Sequence, residues 1–137
     1  MNHKPSSYIE QSGVIPYRIR EGNIEVLLIT SINSKRWIIP KGMIEPGMIP
    51  QDSAAKEAWE EAGVIGEVLP TLIGTYDYPK QGSICRVEVF LMPVETVLED
   101  WLEAQYRKRK WFSVEEAVEC VREVQLKDIL TTLHSLV

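Results

Sequence analysis

Cysteine and histidine are scarce: the 137-residue chain has two of each. Cys85 and Cys120 stand alone, without the paired spacing of a zinc site. They read as buried free thiols, although sequence alone leaves a disulfide open. His3 and His134 lie near the two ends and take no chemical role. No apolar run approaches the ~20 residues that a membrane-spanning helix needs. Residues 1–7 have no apolar segment of the kind found in a signal peptide, so a cytoplasmic protein is expected. Positive charge is in the minority, with 15 Lys and Arg against 20 Asp and Glu, a net charge of −5. That sign argues against partnership with duplex nucleic acid or an anionic membrane. A phosphate-bearing ligand would need locally gathered cations or metal ions.

What the chain does have is an acidic cluster at helical spacing. Residues 57–61 read Glu-Ala-Trp-Glu-Glu, and Gly63 follows shortly after. Glu57, Glu60 and Glu61 stand at i, i+3 and i+4, so a helix points them the same way. Like charges at i,i+4 cost a helix roughly 0.2–0.5 kcal/mol per pair. A hard divalent ion with oxygen ligands is the natural offset. A charge run is more often a solvated face. The surrounding pattern has to decide between the two.

The hydrophobic content of 45% and the length suit one domain with a real core. We assign residues 1–7 to a loose N-terminal arm and 8–137 to the domain. Strands are expected at Ser12–Arg20 and Ile24–Thr30, joined as a hairpin through Glu21-Gly22-Asn23. A short apolar piece, Trp37-Ile38-Ile39, precedes a Gly- and Pro-rich loop over 42–50. A helix starts near Gln51 or Asp52, with Asp52 as a cap or first-turn acid, and stops at Gly63. Its face of Ala54, Ala55, Ala58, Trp59 and Ala62 would press on a sheet while the acids look into a cleft. Strands follow at Val68–Tyr78, Ile84–Val94 and Lys110–Phe112. Ser113 and Glu116 form a capping box that opens a helix to about Val121. Leu126, Ile129, Leu130, Leu133 and Leu136 mark a final helix. The order is that of a mixed α+β domain with helices covering a sheet.

Gly42 to Val64 resembles the Nudix box, G-x5-E-x7-R-E-U-x-E-E-x-G-U, in which U is a bulky apolar residue. Gly42, Glu57, Glu60, Glu61, Gly63 and Val64 match in register. Ala58 is small for its U position. Met48 stands where the box has an acid, and Lys56 where it has arginine. Trp37–Gly42 and Ile44–Gly47 resemble the approach to the box in this MutT-like family. Val97–Trp101 and Arg109–Ser113 are similar to the branch acting on diphosphoinositol polyphosphates and dinucleoside polyphosphates.

The resemblance implies an α/β/α sandwich with a mixed sheet between helices. It also implies hydrolysis of a diphosphate bond with Mg²⁺ or Mn²⁺. Glu57 and Glu61 are then the main metal ligands, with Glu60 and the Gly42 carbonyl contributing. All three glutamates belong to the catalytic set, with Glu60 the first candidate for general base and Glu88 a distant second. Arg36, Lys41, Arg86 and Arg109 are the cations expected to bind substrate, since polyphosphates favour such groups. The basic run Arg107–Lys110 reads otherwise as a solvated strand edge. Trp37 is expected to pack in the core, and Trp59, Trp101 and Trp111 likewise. Lys56 is expected to pair with Asp52 or Glu60 at i±4. The partner is a small phosphorylated molecule, and a homodimer is compatible with the sequence. Within enzymes the alternatives are a nucleoside triphosphate, a nucleotide sugar or an RNA 5′ end as substrate. From another class, Met48 keeps open a nucleotide-binding module without turnover.

Overall fold

A computed structural model describes residues 8–137, so the expected N-terminal arm lies outside the described residues. The element order is β1 (Tyr8–Arg20), β2 (Asn23–Thr30), β3 (Trp37–Ile38), β4 (Lys41–Met43), α1 (Pro50–Glu57), a π-helical turn (Ala58–Ala62), β5 (Val64–Gly66), β6 (Gly74–Lys80), β7 (Ser83–Val97), β8 (Arg109–Ser113), α2 (Val114–Cys120), α3 (Val124–Thr131) and α4 (Leu133–Leu136). Two hairpins turn on Glu21-Gly22 and Gln81-Gly82, all four residues at positive φ. That is the twist that two-residue β-hairpins prefer.

The sheet is mixed. β1 runs parallel to β7 over ten registered pairs, while β2, β4, β6 and β8 pair antiparallel to their neighbours. Alternation along the strands separates two cores. Val14, Leu27, Phe90 and Met92 meet Ala54, Ala58 and Ala62 of the box helix on one face. Ile15, Leu28, Val87, Val89 and Leu91 meet Leu126, Leu130 and Leu133 on the other. Helices on both faces make the expected α/β/α sandwich.

Several local expectations are corrected. The loop after Pro40 contains a strand: β4 pairs Gly42 with Ser12 and Lys41 with Gly13. Pro50 opens α1 in place of Gln51 or Asp52, and Ile49 caps it without a side-chain bond. The C-terminal helix is broken at Thr132 into α3 and α4. Trp59 is 46% exposed and leaves the alanine face it was grouped with. Cys85 is buried as expected, but Cys120 is exposed; both are free thiols. The capping box holds, with Ser113 and Glu116 bonding reciprocally. Among the described residues no helix is long and apolar enough to cross a membrane.

Candidate functional site

The box helix ends in a wide turn whose carbonyls are claimed by a distant segment. Leu98 N donates to Gly63 O, Glu103 N to Glu60 O, the Trp101 indole to Glu61 O and Arg109 Nη1 to Ala62 O. A helix end otherwise leaves such acceptors without partners. Gly63 adopts φ 67°, and a Cβ there would come within 2.7 Å of Trp101 and Arg109. Glycine is therefore required twice, for the left-handed stop and for the close approach. This docking brings Glu103 and Arg107 to the carboxylates of the helix.

Glu61 is the buried member of the triad, 8% exposed. The π-helical turn carries it inward, consistent with the frequent use of such turns at functional sites. Its Oε1 accepts from the Lys41 amide at 3.0 Å. Its Oε2 lies 3.5 Å from Arg107 Nη2. Arg107 also donates to Glu103 at 2.8 Å and to the Thr30 carbonyl at 3.1 Å. Burial still raises the Glu61 pKa to about 7, against the pull of Arg107 and the Lys41 amide.

Glu57 reaches the same value for similar reasons. Loss of hydration raises it to about 7, with the charges of Glu60 and Glu103 adding to the effect. Its carboxylate lies against Gly42, where an added Cβ would meet it at 2.3–2.5 Å. The glycine of the box is thus the floor on which Glu57 rests. Glu60 points toward Lys56 Nζ at 3.6 Å. The stronger partner of Lys56 is Glu45, at 2.5 Å, and Asp52 is not engaged. Glu45 therefore ties the loop to the helix through Lys56.

No three His, Cys, Asp or Glu side chains converge on one point among the described residues. The donor chemistry nonetheless fits a hard ion. Glu57 lies against the Gly42 backbone among neighbouring acids, and Glu61 keeps a raised pKa although Arg107 stands 3.5 Å away. Mg²⁺ in particular retains several waters and needs only one or two carboxylates. The arrangement suits a hydrated divalent ion better than a closed protein cage.

Cations gather beside the acids. Arg36, Lys41 and Arg107 line a cleft of ≈ 360 Å³ together with Lys80 and Arg122. The Lys41 ammonium stands 4.6 Å over the Tyr78 ring, and burial lowers its pKa. Arg36 is paired with Glu123 at 2.9 Å. The other two expected cations are occupied elsewhere. Arg86 pairs with Asp77 and covers the Tyr8 ring. Arg109 stacks on Trp101 at 3.9 Å and donates to the carbonyls of Ala62, Gly63 and Leu98. Glu88 is half-buried on β7 in register with Ser12, on the face of the sheet that carries α1.

A family model described as NUDIX domain matches residues 10–132. The chain belongs to the Nudix family. It is a Nudix hydrolase, as its named relatives are. It is 34% identical over 137 residues to "Nudix hydrolase 16, mitochondrial" of Arabidopsis thaliana, covering 87% of this chain and 76% of that protein. It is 35% identical over 123 residues to "Diphosphoinositol polyphosphate phosphohydrolase 3-alpha" of Mus musculus, covering 88% and 73%. Its fold matches a C. elegans Ap4A hydrolase solved as a binary complex, with TM-score 0.82 at 23% identity over 93% and 96% of the two chains.

Sequence reasoning did not place Glu103 or Arg107 at this Nudix site. Arg107 was visible only as part of a basic run. The i,i+4 spacing of Glu103 and Arg107 was the available signal, but nothing local ties that pair to Glu61.

Proposed function

We propose that this Nudix hydrolase cleaves a diphosphate bond in a nucleoside or inositol polyphosphate, using Mg²⁺ or Mn²⁺. The observation that carries the reading is the pair Glu57 and Glu61, set one turn apart against Gly42 and the Lys41 amide, beside a cleft lined by five basic side chains. Glu57 and Glu61 would hold the ion, assisted by Glu60 and the Gly42 carbonyl. When bound, a divalent ion neutralises phosphate oxygens and lowers the pKa of its water. Arg36, Lys41 and Arg107 act on the phosphate chain through their charge, the guanidinium nitrogens of Arg36 and Arg107 being engaged by Glu123 and by Glu103, Thr30 and Glu61. Lys41 is suited to a buried phosphate because little water competes for its ammonium. Glu60 takes the proton from the attacking water, with Glu88 as the second choice. Burial of Arg107 keeps its electrostatic pull on developing negative charge from being screened.

Met48 keeps open the alternative of a module without turnover. The Glu45–Lys56 ion pair joins loop and helix without an acid at position 48, which supports turnover. The cytoplasm and a homodimer stay as expectations of the sequence, two relatives carrying mitochondrial names. The test is phosphate release from diphosphoinositol polyphosphates, dinucleoside polyphosphates, nucleoside triphosphates, nucleotide sugars and 5′-triphosphorylated RNA, with each metal. Turnover of a polyphosphate that drops at least ~10²-fold in Glu61→Gln supports the reading. Nucleotide binding with no turnover on any of them refutes it.

A further inference from the structure

One buried hydroxyl in the sheet has no partner. Ser12 Oγ is shut from solvent and, among the described residues, makes no hydrogen bond. Buried polar groups are nearly always paired, and an exception carries a cost. Ser12 on β1 lies between Gly42 of β4 and Glu88 of β7. Val14, two residues on, packs under the box helix, and so does Phe90, two residues beyond Glu88. Strand alternation therefore turns Ser12 and Glu88 to that same face. Gly42 has no side chain, and the Glu57 carboxylate fills the place where one would stand. Side chains directly opposite on paired strands have Cβ atoms about 4.5–5.5 Å apart. The Ser12 hydroxyl is thus the neighbour of the Glu57 carboxylate across the sheet.

That carboxylate is equally short of partners. Glu61 accepts from the Lys41 amide and faces Arg107. The nearby Lys56 goes to Glu45 and Glu60, and the Glu57 carboxylate accepts no hydrogen bond among the described residues. A carboxylate that ligates a metal is itself hydrogen-bonded by an outer partner, which fixes its direction. Resting on the metal-dependent reading above, we propose that Ser12 is a positioning residue for Glu57. Its hydroxyl donates to that carboxylate, directly or through one ordered water, when a divalent ion is held. Glu88 is the competing acceptor. Glu57 is the better placed, because contact with Gly42 fixes its carboxylate oxygens, while strand register fixes only the backbone of Glu88. An alanine at 12 would leave no unpaired hydroxyl, so the serine contributes nothing to the metal-free fold.

Mn²⁺ titrations followed by electron paramagnetic resonance, with thermal melts of the same whole protein, test this without turnover. In Ser12→Ala, Mn²⁺ affinity should fall about tenfold, the lower end of the range for such outer partners. The metal-free melting temperature should stay level or rise, because alanine removes an unpaired buried hydroxyl. At one fixed Mn²⁺ concentration the metal-induced rise in melting temperature should be smaller than in the wild type. Beside Glu57→Ala the Ser12→Ala change should cost no further affinity, and beside Glu88→Ala it should cost the full tenfold. Unchanged Mn²⁺ affinity in Ser12→Ala overturns the proposal. So does a metal-free melting temperature lowered by many degrees, which would mark a structural role. A loss that persists beside Glu57→Ala, or vanishes beside Glu88→Ala, gives the hydroxyl to another group and also overturns it. A wild-type protein that binds no Mn²⁺ refutes the metal-dependent reading and this role with it, whereas binding that ignores Ser12 leaves that reading standing.

Discussion

Gly42→Ala is expected to cripple the enzyme without unfolding it. The backbone at Gly42 is an ordinary strand residue paired with Ser12, so alanine is permitted there. Such replacements commonly stabilise by about 0.4–1 kcal/mol through the unfolded chain. The new methyl, however, would come within 2.3–2.5 Å of the Glu57 carboxylate. Ordinary contact requires about 3.4 Å or more, so the carboxylate must move by about 1 Å. It can do so, because it is the free end of a flexible side chain. A displacement of that size costs on the order of 10²-fold in turnover when geometry sets the rate. Thermal melts and steady-state assays at fixed Mg²⁺ read both halves. Activity within twofold of the parent, or a melting temperature lowered by many degrees, would refute the reasoning.

Three further outcomes are expected. In the metal-free protein the pKa values of Glu57 and Glu61 are raised from 4.5 to about 7, so between those values the folded state holds more protons than the unfolded. Stability should therefore fall as pH rises from 4.5 through 7, by on the order of 2 kcal/mol for the well-buried Glu61. Melts with and without Mn²⁺ check this, because a bound cation should restore stability most above pH 7; a flat metal-free profile would contradict it. Arg109→Ala should cost about 2–3 kcal/mol in urea unfolding, since the guanidinium serves three carbonyls and stacks on Trp101. Unchanged stability with weakened substrate binding would instead make Arg109 a substrate contact. Glu45→Gln and Lys56→Gln should each lower turnover, and the double variant should be no worse than the poorer single. Additive losses would mean that the two residues act separately.

The parts of the fold legible in the sequence are those written over short spans. The Glu21-Gly22 hairpin, the Ser113–Glu116 capping box and the Gly63 stop each depend on a few neighbouring residues. The acidic triad was legible for the same reason, through its spacing within one helix. What escaped is set by contacts across the chain. β4 is three residues long and exists through its pairing with β1. The π-helical turn separates Glu61 from Glu60, which straight helical periodicity had placed together. Arg109 carries the same charge as Arg107, yet one turns to backbone carbonyls while the other turns to Glu61. No local rule distinguishes them, because the distinction comes from how segment 98–109 caps the box helix. Cys120 and Trp59 show the same limit: an apolar residue type does not fix which side of an element faces solvent.

Manganese binding followed by electron paramagnetic resonance tests the central assignment most directly, since it reads the ion and not the reaction. The wild-type protein is expected to bind Mn²⁺, and Glu57→Gln/Glu61→Gln to lose at least about tenfold in affinity while keeping its fold by circular dichroism. An affinity unchanged in the double variant would place the ion elsewhere and contradict the assignment of these two glutamates.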